Sequence, residues 1–187
     1  YIYSFDDHNI YANLFIGSEA KIPLAEGEVT IRCESSMPWD GKCSYRLSGG
    51  SAALHIRKPE WAKGVEFDLN GKPVTPREER GYFVFERAWS PNDTLEVRFG
   101  LTTEIVSAAS NFRSMDGKLA VRRGPLVYCA EQADNGEGLY LYRLTPEMSI
   151  YESRTQGVLG DIVTITADAE KVKKYGDKPY LPAEKLE

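Results

Sequence analysis

The sequence predicts an all-β protein built from two antiparallel β-sandwich modules of the jelly-roll or immunoglobulin-like kind. Apolar and polar residues alternate with a period of two in many short segments, whereas the periodicity of an amphipathic helix is almost absent. Strand-like segments recur about every 8–12 residues between turn-forming residues, which is typical of sandwiches and barrels. The 187 residues, 42% of them hydrophobic, suffice for two small cores. We expect a first module over residues 1–105 and a second over residues 106–187.

The first module is predicted from alternating segments joined by recognisable turns. Glu28–Glu34 and Lys42–Ser48 alternate most regularly, and each places a cysteine, Cys33 or Cys43, on its apolar face. Asn70-Gly71 is the strongest hairpin signal, because both residues adopt the positive φ angles of a type I′ turn. The other strands of this module are predicted at Tyr1–Phe5, Ile10–Ile16, Ala52–Arg57, Val65–Leu69, Lys72–Val74, Tyr82–Trp89 and Thr94–Phe99.

The second module follows a softer segment, Thr102–Gly117, and the boundary is placed near Ile105. Asp168–Tyr175 is predicted as a short charged helix and Asp177–Glu187 as a linker. So few strands leave sheet edges uncovered, so the sequence leaves open that this module is incomplete at residue 187. Its strands are predicted at Lys118–Arg123, Leu126–Glu131, Leu139–Leu144, Ser149–Glu152 and Asp161–Thr166.

Composition bounds the classes of partner. The net charge is −5 and the charges are interspersed, so the basic stripe typical of nucleic-acid binding is missing and we predict no nucleic-acid partner. No apolar run approaches the ~18 residues of a membrane span, so we predict no membrane partner. The chain starts at Tyr1 with neither an initiator methionine nor a signal peptide, so we expect that it is either a processed product or a piece cut from a longer protein.

The histidines and cysteines form no recognisable catalytic or metal-binding motif. His8 lies in a polar turn and His55 within a strand, and neither is beside a nucleophile motif. The gaps separating Cys33, Cys43 and Cys129 are too long for the close pairs of a cysteine metal site. We therefore predict no catalytic residue, no metal ligand and no cofactor in this chain, and we expect three buried thiols.

A cross-strand disulfide is an alternative for two of the cysteines. If Glu28–Glu34 and Lys42–Ser48 pair as a hairpin centred near Pro38, Cys33 and Cys43 face each other. A bridge is then feasible in an oxidising compartment.

Trp39 and Asp40 are the candidate carbohydrate-binding residues. They lie in the turn-like segment Met37–Gly41, which would place an indole ring beside a carboxylate at the end of a sheet. Sugars bind flat aromatic faces flanked by hydrogen-bonding groups. The structural alternative is that Trp39 packs over the end of the sandwich, and Trp61 and Trp89 are interpreted as lids of the core.

A series of motifs runs in order over about residues 1–145. The most specific is Arg123-Gly124-Pro125-Leu126-Val127-Tyr128, preceded by Gly117–Arg122 and followed by Cys129, Glu131 and Asp134-Asn135. The others are Tyr1-Ile2-Tyr3, Tyr11–Gly17, Pro38–Gly41, Leu54–Arg57, Pro59-Glu60-Trp61, Leu69–Lys72, Gly81-Tyr82 and Arg87–Asp93. Together they resemble the bacterial β-L-arabinofuranosidase family, glycoside hydrolase family 127.

The resemblance implies a three-part enzyme, in which a catalytic (α/α)₆ barrel precedes two β-sandwich modules. It also implies a zinc-bound cysteine nucleophile with glutamate and further cysteine ligands, all in the barrel. No position of this chain matches these residues, and the surroundings of Cys129 match the second β module instead. Full-length members continue with further strands after a segment like Leu181–Leu186, which again leaves the second module's completeness open.

Three functional hypotheses follow. The first is a non-catalytic accessory region that braces the barrel of its parent enzyme, with exposed docking residues on Tyr1–Phe5 and Ile10–Ile16. The alternative is a carbohydrate-binding module that uses Trp39, Asp40 and neighbouring aromatic residues to bind plant-type, arabinose-containing glycans. The third, for which no specific signal exists, is an immunoglobulin-like interaction module. The compartment is left open between the bacterial cytoplasm and the periplasm.

Overall fold

The computed structural model describes residues 1–158 and 160–172, and these residues form two compact units. The first unit comprises residues 1–103 and 123–126, and the second comprises the other described residues. Strands dominate both units, so the predicted all-β class is confirmed. The predicted linker Asp177–Glu187 lies outside the described residues.

Two sheets make up the first unit. A five-stranded sheet has the order β1-β2-β6-β10-β9, and a six-stranded sheet has the order β3-β4-β5-β11-β7-β8. The strands are β1 (Tyr3–Phe5), β2 (Asn9–Ala12), β3 (Ser18–Leu24), β4 (Gly27–Ser35), β5 (Lys42–Ser48), β6 (Ser51–Arg57), β7 (Val65–Leu69), β8 (Lys72–Pro73), β9 (Arg77–Glu79), β10 (Tyr82–Ala88) and β11 (Leu95–Phe99).

The core of the first unit lies between these two sheets. Alternate residues of each strand face inward, as β4 shows with Val29, Ile31 and Cys33 buried. Aromatic rings join the layers, because Phe67 of β7 lies 4.8 and 5.1 Å from the ring centres of Phe83 and Phe85 in β10. The first unit is therefore a β-sandwich.

The pairing within the five-stranded sheet is not uniformly antiparallel. β2 and β6 run parallel, with Tyr11 opposite His55. The predicted antiparallel sandwich therefore contains one parallel pair, which the sequence did not indicate, because the period-two alternation of a strand does not encode the direction of its partner.

Two charged edge strands were missed by the sequence analysis. In β3 only Ile22 is fully buried, and Pro23 is tolerated because β3 is the edge of its sheet. β9 is the edge strand of the five-stranded sheet, and it is a short run of charged residues beside β10. The predicted strand Ile10–Ile16 ends at Ala12, since the backbone N–H groups of Asn13 and Leu14 donate to the Ile2 carbonyl instead.

The second unit consists of short strands in three small sheets, with sheet orders β12-β13-β14, β15-β18 and β16-β17. Its helical segments are one short α-helix, α1 (Gln132–Asn135), and 3₁₀ turns at Arg113–Met115 and Leu139–Leu141. The strands are β12 (Thr103–Ser107), β13 (Leu119–Arg123), β14 (Leu126–Tyr128), β15 (Tyr142–Arg143), β16 (Ile150–Gly157), β17 (Gly160–Ala167) and β18 (Glu170–Lys171).

Several predictions for the second unit need correction. β12 lies inside the segment predicted as soft, where it pairs with β13 at the edge of a three-stranded sheet, and its Glu104 forms a 2.6 Å ion pair with Arg122 of β13. The predicted strand Leu139–Leu144 begins as a 3₁₀ turn, closed by the Leu141 N–H donating to Gly138. The predicted helix Asp168–Tyr175 contains β18 instead, and its residues 173–175 lie outside the described part.

Candidate functional site

The outer face of the five-stranded sheet forms a polar depression of about 540 Å³. Strand register brings its central residues together: Tyr11 of β2 lies opposite His55 of β6, which lies opposite Val84 of β10. Glu79 and Glu86 contribute to its lining from the neighbouring strands. We call this surface the polar depression.

A hydrogen-bonded chain fixes the orientation of the histidine in the polar depression. The Asn9 amide donates through Nδ2 to Asp6 Oδ1 at 2.7 Å, so its Oδ1 accepts from His55 Nε2 at 3.0 Å. The His55 side chain is buried, and burial lowers its pKa from the ordinary value, so the imidazole is neutral at pH 7. Within the described part of the chain, Nδ1 has no hydrogen-bond partner and is left as an acceptor.

Aromatic rings surround this histidine. The Tyr11 ring lies 4.5 Å from the imidazole, and the Tyr82 ring packs edge-on against Tyr11 at 5.4 Å. The hydroxyl of Tyr11 donates to Asp6, and that of Tyr82 donates to the Asn13 side chain at 2.8 Å. Hydrogen bonds from the His8 backbone and the Asn9 side chain lower the pKa of Asp6, so it stays an acceptor at neutral pH. The Tyr11 and Tyr82 rings are thus held both by ring packing and by the hydrogen bonds of their hydroxyl groups.

A second depression of about 280 Å³, the apolar groove, lies elsewhere on the first unit. The segment Leu14–Gly17 forms one wall, and Leu14 and Ile16 are 40% and 52% exposed. Trp61 and Pro125 line the groove as well, and Arg57 stacks over the buried Phe15 at 5.4 Å. Tyr1 and Phe5, on the other segment predicted to dock, are also exposed. Among the described residues of the first unit, Tyr1, Phe5, Leu14 and Ile16 are the exposed large apolar side chains.

The predicted site residues Trp39 and Asp40 are placed in the connection between β4 and β5. Their backbone N–H groups both donate to the Ser36 carbonyl at 3.1 Å, which closes a tight turn that contains the cis peptide Met37-Pro38. Trp39 is half-buried and lines neither depression, whereas Asp40 is exposed. The structure therefore does not join this pair to either concave surface.

The Arg-Gly-Pro motif holds this region together. Arg123 is buried and donates from Nη1 to the Trp39 carbonyl at 3.1 Å. Gly124 has φ +53°, and a Cβ there would lie 2.5 Å from Leu101. Pro125 then lines the apolar groove. The motif thus serves packing and the shape of the groove.

The cysteines depart from the prediction in two ways. The register places Ser35 opposite Cys43 and Tyr45 opposite Cys33, so the two cysteines are diagonal and not directly opposed. Diagonal Cα atoms lie roughly 7–8 Å apart, beyond the usual disulfide range, and both thiols are free. Cys129 is exposed, which corrects the expectation of three buried thiols. The hydrogen bond with Cys43, together with burial, raises the pKa of the Cys33 thiol, which keeps it protonated.

The described residues contain neither a metal-ion cluster nor a membrane-spanning helix. No group of three or more histidine, cysteine, aspartate or glutamate side chains lies close enough to hold a metal ion. No helix in the same part of the chain is both long and apolar enough to cross a membrane.

Comparison with known proteins gives a consistent family. The protein-family model "Beta-L-arabinofuranosidase, GH127 middle domain" matches residues 9–101. A second family model, "Glycoside hydrolase family 127 C-terminal domain", matches residues 103–174. The chain belongs to glycoside hydrolase family 127. It represents the C-terminal region of that family, as the motifs around Arg123-Gly124-Pro125 had indicated.

Curated and solved relatives agree with this family 127 assignment. The non-reducing end β-L-arabinofuranosidase of Bifidobacterium longum subsp. longum is 33% identical over 196 residues, covering 97% of this chain. A GH127 β-L-arabinofuranosidase from Geobacillus stearothermophilus T6 has 31% identity and a TM-score of 0.86 over 97% of the chain. Another GH127 β-arabinofuranosidase has 25% identity and a TM-score of 0.83 over 91% of the chain. The chain spans only 29% of the first of these proteins and 30% of each of the other two.

The polar depression is the feature that sequence reasoning missed. His55 and Tyr11 were interpreted as strand residues, and their sequence separation gives no sign that parallel pairing joins them. The signal that could have found them is the set of polar and aromatic residues that alternate with buried ones on β2 and β6, namely Asn9, Tyr11 and His55.

Proposed function

We propose that this chain is the non-catalytic accessory region of a β-L-arabinofuranosidase-like glycoside hydrolase and braces that enzyme's catalytic region. The observation that carries the proposal is the apolar groove with its exposed wall, Leu14 and Ile16. Soluble proteins rarely expose contiguous apolar surface without a partner. The occupant we assign is the part of the parent enzyme that lies outside this chain, since relatives are more than three times as long as the matched region.

The chemistry of the groove suits a packed protein partner. Its lining is mostly apolar, and the Trp61 and Pro125 rings give rigid walls that lose little conformational entropy on binding. Arg57 is pre-positioned, because its Nε donates to the Asn13 carbonyl at 2.7 Å and its guanidinium stacks on Phe15. A partner that fills this groove meets a surface ordered in advance.

In this proposal the nucleophile, the acid/base group and the zinc that the family resemblance implies belong to the catalytic region. The purified chain is then expected to retain no stoichiometric zinc after dialysis, as measured by metal analysis. It is also expected to release no arabinose from a chromogenic β-L-arabinofuranoside. Stoichiometric retained zinc or turnover by the isolated chain would remove the non-catalytic assignment.

The alternative proposal, a carbohydrate-binding module at Trp39 and Asp40, has less support. The Trp39 carbonyl is bound by Arg123, and its side chain lines neither concave surface. Saccharide binding that Trp39→Ala abolishes in a folded chain would restore it.

Docking is tested with the chain and the remaining part of its full-length protein, produced separately. The double variant Leu14→Asp with Ile16→Asp is expected to weaken their association by more than about tenfold, because buried carboxylates lose hydration. The matched control is Tyr151→Asp, since Tyr151 is 55% exposed on the second unit. Equal affinity for the double variant and the parent chain would refute the groove as the docking surface.

A further inference from the structure

We propose that the polar depression binds a short neutral saccharide, with the Tyr11 ring as its platform and His55 and the Glu79 carboxylate as its hydrogen-bonding groups. The polar depression is a different surface from the apolar groove, and a ligand bound there would belong to this chain itself, whether or not the groove docks to the catalytic region.

The size and position of the depression fit a small ligand. Its volume of about 540 Å³ lies within the ~300–1,000 Å³ typical of small-molecule sites. Its floor is rigid, since it consists of side chains on three neighbouring hydrogen-bonded strands, β2, β6 and β10. Sites built on strands hold their groups more precisely than sites built on loops.

The floor of the polar depression offers a pre-oriented hydrogen-bonding group. His55 is only 8% exposed, yet it belongs to the lining of the depression. The hydrogen bonds from Asn9 to Asp6 and from His55 to Asn9 hold the Nε2 atom of His55 as a donor. Its Nδ1 atom is therefore an acceptor, and it has no partner among the described residues. A sugar hydroxyl donates readily to such a nitrogen.

The aromatic ring beside it supplies the apolar contact that a sugar needs. Tyr11 lines the depression, and its ring is held against the imidazole and by its hydroxyl bond to Asp6. A pre-positioned ring adds contact area at low entropic cost, and its face suits the C–H face of a furanose or pyranose.

The charges of the rim favour a neutral ligand. Arg77 pairs with Glu79 at 3.1 Å and lies 3.8 Å from Glu86, so the guanidinium charge is already balanced. Arg87 pairs with Asp93 at 3.1 Å. An anion would meet carboxylates and a cation would meet guanidinium groups, whereas the hydroxyls of a neutral saccharide can donate to the former and accept from the latter.

The test is a titration of the whole 187-residue chain with L-arabinose, a short arabino-oligosaccharide, xylose and glucose. Calorimetry and the imidazole resonances of His55 report binding. We expect saturable binding of at least one sugar with a dissociation constant of about 1 mM, the weak range of an open site. Shifts should concentrate at His55, Asn9 and Tyr11.

Variants separate the proposed contacts from general effects. Tyr11→Leu and Glu79→Gln are each expected to weaken binding about tenfold. Tyr11→Phe retains the ring and should bind within about threefold of the parent chain. The matched control is Glu34→Gln, an exposed carboxylate on the other sheet that also pairs with arginine. Thermal melts confirm that each variant is folded, and if Tyr11→Leu does not fold, Glu79→Gln against Glu34→Gln decides.

Two results would overturn the proposal. One is the absence of saturable binding for all four sugars in a folded sample, in which case the depression is a solvated sheet face. The other is binding that Glu79→Gln and Tyr11→Leu leave unchanged. Either result would leave the docking proposal untouched, because its variants lie in the apolar groove.

Discussion

Replacing Gly41 with alanine is predicted to destabilise the first unit far more than the same change at another turn glycine. Gly41 ends the connection that carries Trp39, with φ +69°, and its carbonyl accepts a 2.8 Å hydrogen bond from the Phe99 N–H. An ideal Cβ at this position would lie 2.3 Å from the Phe99 carbonyl oxygen. Because that oxygen is backbone, no side-chain rotation relieves the contact.

The size of the effect follows from three contributions. An alanine at positive φ costs about 1–2 kcal/mol. Restoring an ordinary separation of 3.4 Å requires β11 and the connection to part by about 1 Å, and such overpacking costs about 1–3 kcal/mol. The same displacement weakens the hydrogen bond from the Phe99 N–H to the Gly41 carbonyl, which costs about 1 kcal/mol more. Together they predict a loss of about 4 kcal/mol in the free energy of unfolding.

The control is Gly71→Ala, since Gly71 has φ +80° with no atom within 4 Å of the ideal Cβ. It carries only the conformational cost of about 1–2 kcal/mol. Urea unfolding of both variants, with thermal melts alongside, measures the difference. The melting temperature should fall by at least about 15 °C for Gly41→Ala and by about 5 °C for the control. Equal losses in the two variants would refute the steric argument.

Three further predictions concern the Tyr45 hydroxyl, the cysteine thiols and the Asp93 carboxylate. The Tyr45 hydroxyl is buried without a hydrogen-bond partner in the described residues, so Tyr45→Phe should be neutral or stabilise by about 1 kcal/mol in urea unfolding, and a loss above that would contradict it. Brief alkylation of the native chain, read by mass spectrometry, should label Cys129 alone, while the unfolded chain takes three labels; rapid labelling of Cys33 or Cys43 would show that the core is open. Hydrogen bonds from the Ser90 backbone and Asn70 lower the pKa of Asp93, so the stability it contributes is full above about pH 4 and is lost as the pH falls through its lower folded value. Asp93→Asn should therefore flatten the decline of the urea midpoint below about pH 4, and an unchanged decline would count against this role.

The sequence was most informative where local chemistry decides the structure. β4, β5 and β6 were predicted closely because their apolar residues alternate and face one core. The hairpin at Asn70-Gly71 is confirmed by φ angles of +55° and +80°. Strands without an apolar face, such as β9, gave no periodic signal and were missed.

The surfaces could not be predicted in the same way, because they depend on long-range register. His55 and Asn9 meet only because β2 and β6 pair in parallel, and no local pattern specifies that pairing. Trp39 was chosen for its residue type and its turn, but the turn directs it to neither depression. The sequence did indicate the apolar segment Ile10–Ile16, although not that its strand ends early and leaves Leu14 and Ile16 in solvent.

Hydrogen exchange of the chain, alone and mixed with the remaining part of its full-length protein, tests the bracing role most directly. The amides of Leu14–Gly17 and of Met37, which line the apolar groove, should become protected on mixing, while β16, exposed on the second unit, should not change. Protection of the groove that Leu14→Asp with Ile16→Asp abolishes is the predicted result. Unchanged exchange in the groove, in a mixture shown to associate, would contradict the account.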